Sequence, residues 1–199
     1  MSEEIYKKAC DFANDGDYVE AAKLFKKAAD TGHVRAQYNL AICLHEGLGG
    51  YQAHMEAFHY FKMAAEGDFP RANYMMGIYL LMGLAPYESE EEGVKHLQLA
   101  ADAGIEDAQY NYAVCLLEGK GVEKSEEEAV RYFQMAVEKE HVDAMYNLGV
   151  CIYEGRGIAS DTEKGIALIE KAASKGNQEA PGALTKIYSK KAPPLKSLS

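Results

Sequence analysis

The stretch AQYNYAVCLLEGKGVEKSEEEAVRYFQMA, residues 108–136, decides the fold of this 199-residue chain because its pattern recurs along the sequence. Shifting the sequence against itself by 36 residues aligns small and apolar residues over most of its length. One column contains only alanine, at Ala36, Ala72, Ala108, Ala144 and Ala180. A second column marks the other half of the unit, at Ala28, Ala64, Ala100, Ala136 and Ala172. A period of this length predicts stacked supersecondary units rather than one globular core.

Each repeating unit is predicted to contain two helices. Apolar residues recur three or four places apart, as on one side of a helix. Ala108, Tyr112 and Leu116 mark the first helix, and Ala129 and Phe133 mark the second. One position of the first helix is always small, which predicts a close approach of the paired helix; its occupants are Ala41, Gly77, Ala113 and Gly149.

The loops and helix starts also repeat. Gly-x-Gly at 47–49, 119–121 and 155–157 supplies the backbone freedom that a turn requires. A Ser or Asp followed three residues later by Glu predicts a capped second helix, and the pairs are Asp17 with Glu20, Ser89 with Glu92, and Ser125 with Glu128. Ala53 and Lys164 break this pattern, so the helices that begin there should start less firmly.

The combined pattern is similar to the Sel1-like repeat. AQYNLAICLHEGLGG (36–50), AQYNYAVCLLEGKGV (108–122) and AMYNLGVCIYEGRGI (144–158) carry the resemblance, which covers residues 36–190. The segment GDYVEAAKLFKKAAD (16–30) looks more like the related tetratricopeptide repeat. The resemblance implies an all-α fold, a right-handed α/α superhelical solenoid of stacked helix-turn-helix repeats.

The repeat phase predicts the organisation of one continuous solenoid domain. A tetratricopeptide-like helix pair is expected at the start, followed by four Sel1-like repeats. A capping helix and a flexible tail should follow. The corresponding ranges are 1–35, 36–71, 72–107, 108–143, 144–179, 180–190 and 191–199.

Composition argues against several classes of partner. A formal net charge of −10 at pH 7 disfavours a grip on nucleic acid, which depends on Lys and Arg at phosphates. No apolar run approaches the roughly 18 residues that a membrane helix needs, so no membrane insertion is expected. The start MSEEIYKKAC does not resemble a secretory signal, which favours a cytoplasmic location. Delivery as a non-classically secreted effector remains an alternative.

The cysteines are predicted to be free. Cys43, Cys115 and Cys151 share one helical column in different repeats, so they should lie roughly 10 Å apart, beyond the Cα distance that a disulfide spans. They are interpreted as small buried apolar residues in a reducing compartment. The resemblance adds that some secreted relatives have a Cys pair in each repeat, and this sequence has none.

No residue is predicted to be catalytic, to bind a cofactor or to ligate a metal. The loop GKGVEKS (119–125) is not a phosphate loop, because the repeat explains both of its glycines. The carboxylate runs 88–92 and 126–128 lie at helix starts, where negative charge suits the helix dipole. The six histidines lack metal-ligand spacing; they are His33, His45, His54, His59, His96 and His141.

The remaining candidate is a surface formed by the first helices. With Leu40, Ala41 and Leu44 facing the paired helix, helical geometry points other columns into a concave groove. Its predicted residues are Tyr38, Tyr74, Tyr110 and Tyr146, then Ile42, Ile78, Val114 and Val150, then Glu46, Met82, Glu118 and Glu154. Tyrosines would supply contact area and glutamates would select basic side chains. An alternative is that the tyrosines merely pack between repeats.

These observations predict a non-catalytic scaffold or adaptor that binds a basic or amphipathic peptide or protein and is itself monomeric. A structural or self-associating spacer is the alternative, and the apolar segment LLMGLAPY (80–87) is its candidate contact. A hydrolase of the kind claimed for disulfide-stapled relatives is disfavoured, since no nucleophile motif is present. The tail KKAPPLKSLS (190–199) is expected to be flexible and is a further candidate for a linear motif.

Overall fold

The computed structural model describes residues 1–87 and 89–191, and within these ranges it contains eleven helices and no strand. Glu88 and the tail from 192 lie outside the described residues. The helices are α1 Ser2–Asn14, α2 Tyr18–Ala29, α3 Val34–Glu46, α4 His54–Glu66, α5 Pro70–Leu81, α6 Glu90–Asp102, α7 Glu106–Glu118, α8 Glu126–Glu138, α9 Val142–Glu154, α10 Thr162–Ser174 and α11 Ala180–Lys191.

The described residues divide between two compact units, with the boundary inside α7. The first unit comprises Met1–Ala108 together with Lys120–Val122, and the second comprises Gln109–Gly119 and the described residues from Glu123 onward. In the first unit, α1 pairs with α2, α3 with α4 and α5 with α6, while α2 and α4 also contact the next pair. In the second unit, α9 pairs with α10 and also contacts α8, and α10 contacts α11. The predicted all-α class of stacked helix-turn-helix repeats is therefore confirmed.

Glycines allow the paired helices to approach closely, as the small-residue column predicts. A Cβ added to Gly77 in α5 would lie 2.8 Å from the side chain of Leu97 and 2.9 Å from the carbonyl oxygen of Gly93 in α6. In the other unit, a Cβ on Gly165 in α10 would lie 2.8 Å from the carbonyl oxygen of Gly149 in α9. A side chain at either position would therefore require the paired helices to shift.

The second glycine of each Gly-x-Gly loop rests on the preceding repeat. Gly49, Gly121 and Gly157 all have left-handed backbones, with φ of 76°, 64° and 65°. A Cβ on them would strike the carbonyl groups of Tyr18, Glu90 and Glu126 respectively. Each of these carbonyls belongs to the first residue of a second helix, α2, α6 or α8. In the remaining repeat Ala85 takes this place, and its amide donates to the carbonyl of Tyr79 at 3.3 Å.

The second helices are capped largely as the sequence predicts. Asp17, Ser89 and Ser125 each accept a hydrogen bond from the amide three residues later, at 3.1, 3.3 and 3.3 Å. Ala53 provides no side-chain cap for α4. For α10 the expectation of a weak start is wrong. The side chain of Asp161 accepts from the amide of Lys164 at 3.0 Å, and the Lys164 ammonium lies 3.1 Å from the same carboxylate.

Sequence reasoning missed the caps of the first helices. Nδ1 of His33 accepts from the amide of Ala36, and Nδ1 of His141 accepts from the amide of Ala144, both at 3.2 Å. These histidines are therefore structural. Their shared repeat column could have indicated the cap. The next residue of that column, Asn177, caps α11, because its side chain accepts from the Ala180 amide at 2.8 Å.

Cys43, Cys115 and Cys151 are buried in α3, α7 and α9 and form no disulfide, whereas Cys10 is half-buried in α1. Burial raises the pKa of the Cys43 and Cys151 thiols, which disfavours the reactive thiolate. None of the described helices combines the length and apolar character needed to cross a bilayer.

Candidate functional site

The tyrosines of the predicted groove are half-buried, and two of them pack on the second helix of their own repeat. The ring of Tyr38 lies 5.8 Å from that of Phe61. The ring of Tyr110 lies 6.0 Å from that of Phe133 and stacks on His141 at 4.7 Å. These two tyrosines therefore take part in the internal packing of their own repeats and remain only half-buried.

Hydrogen bonds continue this packing into the next repeat. The Asn147 side-chain amide donates to the hydroxyl of Tyr110 at 3.5 Å, and Asn39 donates to the hydroxyl of Tyr6 at 3.4 Å. Tyr6 is the residue of the N-terminal helix pair that corresponds to Tyr38. A tyrosine followed by an asparagine in the next repeat is thus a recurring junction.

The other predicted groove residues differ in exposure. The aliphatic column Ile42, Ile78, Val114 and Val150 is half-buried, and so is Tyr74. Glu46, Glu118 and Glu154 are exposed, and Met82, which occupies the glutamate column, is 68% exposed. These residues present an apolar strip with an acidic edge within each unit.

The second unit contains a cavity of about 510 Å³ beside this strip. Three predicted residues line it, namely Tyr146, Val150 and Glu154 of α9. Its other walls come from the loop before α11 and from α9, α10 and α11, and comprise Tyr153, Ile169, Gln178, Glu179, Gly182, Ala183, Lys186 and Ile187. A neighbouring hollow of about 390 Å³ shares Tyr146, Gln178 and Glu179 with it and also contacts Tyr110. Four predicted site residues therefore line one recessed surface of this unit.

The cavity exists because two repeat positions lose their usual side chains. Gly182 stands in the tyrosine column and Ala183 stands in the column of Asn39 and Asn147. The junction that Tyr110 makes with Asn147 is therefore not made by Tyr146. No described residue forms a hydrogen bond with the hydroxyl of Tyr146, which borders the cavity instead.

Three carboxylates and two ammonium groups line this surface, namely Asp143, Glu154 and Glu179 against Lys175 and Lys186. Burial raises the pKa of Tyr146, and the carboxylates of Glu179 and Glu154 raise it further. Burial also raises the pKa of Tyr110, with Asp143, Glu179 and Glu118 adding to the effect. Both tyrosines therefore stay neutral at physiological pH, and their hydroxyls lie in the field of several carboxylates. Such a surface suits recognition of cationic groups.

The first unit buries a polar cluster that sequence reasoning did not identify. Tyr79 is fully buried in the column that holds Cys43 in the preceding repeat. Its hydroxyl lies 2.7 Å from Nδ1 of His45 and 3.4 Å from Nδ1 of His54. Burial raises the pKa of Tyr79 to about 12, with a further contribution from Glu46. The histidines satisfy a buried hydroxyl, which is a structural role. In the described part of the chain, no three His, Cys, Asp or Glu side chains gather as metal ligands would.

The first unit contains a cavity of about 370 Å³ that lies among α4, α5 and α6. Nδ1 of His96 lies 2.8 Å from the Asn73 side-chain oxygen at its wall. His96 occupies a column that holds Tyr60 and Tyr132 in neighbouring repeats. The Tyr60 hydroxyl accepts from the Lys26 ammonium at 2.9 Å, and the shorter His96 leaves the corresponding space open.

The segment LLMGLAPY is only partly exposed. Leu84 and Ala85 pack on the core of the first unit, whereas Met82 and Tyr87 are exposed. The Tyr87 hydroxyl donates to the carboxylate of Glu92 at 3.2 Å. The exposed apolar area of this segment is therefore smaller than its sequence suggests.

A family model described as the Sel1 repeat matches five consecutive segments, at residues 15–33, 34–69, 70–105, 106–141 and 142–177. The crystal structure of a Sel1 repeat protein from Oxalobacter formigenes is 33% identical and aligns with a TM-score of 0.76. That alignment covers 86% of this chain and 49% of the other. The match extends through the region that contains both units.

Two further comparisons are shorter or more distant. The structure of a protective antigen of uropathogenic Escherichia coli, which displays an SLR fold, is 28% identical with a TM-score of 0.78, covering 85% of this chain and 36% of the antigen. Rat DAP3-binding cell death enhancer 1 is 53% identical over 34 residues, which is 17% of this chain and 7% of that protein. The chain thus spans about half, or less, of the length of these relatives.

Proposed function

The chain belongs to the Sel1 repeat family, and on that premise we propose that it is a non-catalytic scaffold that binds a protein or peptide on the surface of its first helices. The observation that carries the proposal is the recessed surface of the second unit, where Tyr110, Tyr146, Val150 and Glu154 lie beside open volume. Half-buried aromatic rings in a pocket are the usual anchors of a protein interface.

The acidic edge indicates the chemistry of the partner. Glu118 and Glu154 are exposed at the ends of α7 and α9, and Glu179 lies beside Tyr146. Fixed negative charge beside apolar contact area favours a basic or amphipathic segment and mainly sets the association rate and specificity. Binding should therefore weaken as salt is added.

The family relationship supports binding rather than catalysis. DAP3-binding cell death enhancer 1 binds another protein according to its name, and this chain resembles it over one repeat length. The side chains that line the recessed surface are phenols, aliphatic groups, amides, carboxylates and the ammonium groups of Lys175 and Lys186, and no hydroxyl or thiol nucleophile is paired with a base among them.

We also propose a cytoplasmic location. Four cysteines without disulfides, three of them buried, suit a reducing compartment. Release by a non-classical route is compatible with the same chemistry.

A matched pair of double variants tests the scaffold. Glu118→Lys/Glu154→Lys reverses charge at the last residues of two first helices, and Glu66→Lys/Glu138→Lys does the same at the last residues of two second helices. Lysine suits the end of a helix at all four places, so both variants should fold. Partners captured from a lysate of the source organism should be lost from the first variant alone, as quantified by mass spectrometry.

Addition of salt should release the same partners from the wild-type protein. Equal capture by the two variants, or capture that is unchanged in high salt, would count against the proposed surface and against a basic partner.

One observation favours a second candidate function, self-association. Met82 is 68% exposed and Tyr87 is 44% exposed in the same loop region of the first unit. A spacer that associates through this loop would not need the recessed surface of the second unit.

A further inference from the structure

We propose that the cavity of about 510 Å³ in the second unit binds an arginine side chain of the partner, with the guanidinium between Tyr146, Tyr153 and the carboxylates of Glu154 and Glu179. This rests on the proposed function, because it names the group that the scaffold recognises.

Two aromatic rings form part of the wall. Tyr146 and Tyr153 are both half-buried in α9, so each retains an open part of its ring. A cation that rests on such a ring is attracted by its quadrupole, more strongly when water is partly excluded. A planar guanidinium can also stack on the ring, which an ammonium cannot do.

Two carboxylates complete the recognition of a cation. The Glu179 carboxylate forms no ion pair with the described part of the chain. Glu154 has only a loose contact with Arg156, at 3.8 Å. Both carboxylates raise the pKa of Tyr146, so both act near that hydroxyl. A guanidinium has five N–H donors and can bond to a carboxylate while its face rests on an aromatic ring.

The chain already contains this combination elsewhere. The guanidinium carbon of Arg131 lies 4.3 Å from the centre of the Tyr132 ring. The same guanidinium donates to the carboxylate of Glu128 at 2.8 Å and 3.2 Å. Tyrosine, glutamate and arginine thus form one cluster on α8, and the cavity offers tyrosine and glutamate without the arginine.

The shape of the cavity admits a long side chain. Gly182 and Ala183 present almost bare backbone at two positions where most other repeats have tyrosine and asparagine. A Cβ added to Gly182 would meet nothing within 4 Å, so space remains above the helix. Lys186 also lines the cavity and repels a cation, so the guanidinium should approach from the side of the glutamates.

The test uses single amino-acid probes with the full chain. Backbone amide shifts are followed by NMR while three probes acetylated at the α-nitrogen are titrated. The probes are the methylamides of arginine, of its neutral isostere citrulline and of lysine. We expect the arginine probe to shift the amides of Tyr146, Gly182 and Ala183 in a saturable way. The lysine probe should bind about tenfold more weakly, and citrulline should cause no saturable shift.

Three variants and one matched control locate the site. Glu154→Gln/Glu179→Gln should weaken arginine binding by at least about tenfold, whereas the matched Glu66→Gln/Glu138→Gln should leave it unchanged. Gly182→Leu fills the cavity without removing charge and should also abolish binding. Lys186→Gln should strengthen it. Unchanged helical content by circular dichroism is required of each variant.

Several outcomes would overturn the proposal. They are equal binding of arginine and citrulline, shifts that fall mainly outside the cavity, and binding that survives Gly182→Leu. If the arginine probe fails while Glu118→Lys/Glu154→Lys still abolishes partner capture, the scaffold stands and the arginine pocket is wrong. If Glu118→Lys/Glu154→Lys captures the same partners as its control Glu66→Lys/Glu138→Lys, the proposed function fails, whatever the arginine probe does.

Discussion

His96 shows how one side chain changes the local properties of a repeat. It replaces the tyrosine of neighbouring repeats, leaves a cavity of about 370 Å³ and contacts the Asn73 side chain at the cavity wall. Burial lowers the pKa of His96, the positive charge of Lys62 lowers it further and Glu92 opposes this. Glu66 and Asp68 also line the cavity. The folded protein therefore binds a proton at His96 less readily than the unfolded chain does.

This difference predicts a loss of stability in acid. Because the folded-state pKa lies below the unfolded value of about 6.5, the contribution of His96 is present at neutral pH and declines as the pH falls below that value. His96→Tyr should fill the cavity, approach Lys62 as Tyr60 approaches Lys26, and raise the free energy of unfolding by about 1 kcal/mol near pH 7.5. The gain in the free energy of unfolding should be larger at about pH 5.5.

Urea unfolding at both pH values measures the effect. His59→Tyr, on the exposed side of α4, is the control and should leave the acid dependence of the wild type unchanged. If the free energy of unfolding falls between the two pH values by the same amount in His96→Tyr and in the wild type, His96 is not the source of the loss of stability in acid.

Helix starts distinguish the elements of the fold. Ser89 and Ser125 cap α6 and α8 from extended backbones, with φ of −154° and −146°. Ala53 precedes α4 with φ of −141° and ψ of 80° and offers no side-chain acceptor. The backbone at Ala53 is thus close to a capping conformation that its methyl group cannot use.

Ala53→Ser should therefore stabilise α4. The new hydroxyl can accept from the amide of Glu56, which should raise the free energy of unfolding by about 1 kcal/mol. Ser125→Ala is the reciprocal variant and should cost a similar amount. Chemical denaturation monitored by circular dichroism measures both changes. A loss in Ser125→Ala without a gain in Ala53→Ser would show that the loop before α4 cannot place the hydroxyl.

The caps also show what could be predicted from the sequence. The Ser and Asp caps were predictable because their chemistry is local and their spacing repeats. The histidine caps were missed because imidazole is an uncommon N-cap, although His33 and His141 share a column. The cavities arise where single residues depart from the repeat, at His96 and Gly182. Alignment of the repeats shows the positions that are alike and not the departures from them. The cavity volume and the electrostatic field at Tyr146 depend on three-dimensional packing, which the sequence pattern does not give.

Charge and exposed apolar area set the behaviour of the whole molecule. The formal net charge of −10 opposes close approach of two copies. The exposed apolar residues of LLMGLAPY are few, because Leu84 and Ala85 pack inward. A stable dimer usually buries at least about 1,200 Å² in total, which two side chains cannot supply.

The molecule should therefore sediment as a monomer. Analytical ultracentrifugation over a wide concentration range should give one species with the mass of the chain, 21.9 kDa. Met82→Glu restores the glutamate of its column and should leave this result unchanged. A concentration-dependent dimer in the wild type that is absent in Met82→Glu would instead support the self-associating spacer.

The loop glycines contact the first residue of the second helix in the preceding repeat. This contact limits how a gene for such a chain can lengthen by duplication. Gly49, Gly121 and Gly157 meet Tyr18, Glu90 and Glu126 at a constant separation along the chain. An in-frame tandem duplication of one whole period keeps every glycine opposite its partner, wherever in the period the copied segment begins. A duplication of another length sets a side chain against the carbonyl unless the loop is rebuilt. The contact between neighbouring repeats thus restricts tolerated duplications to whole periods. It does not restrict where in the period the duplicated segment begins.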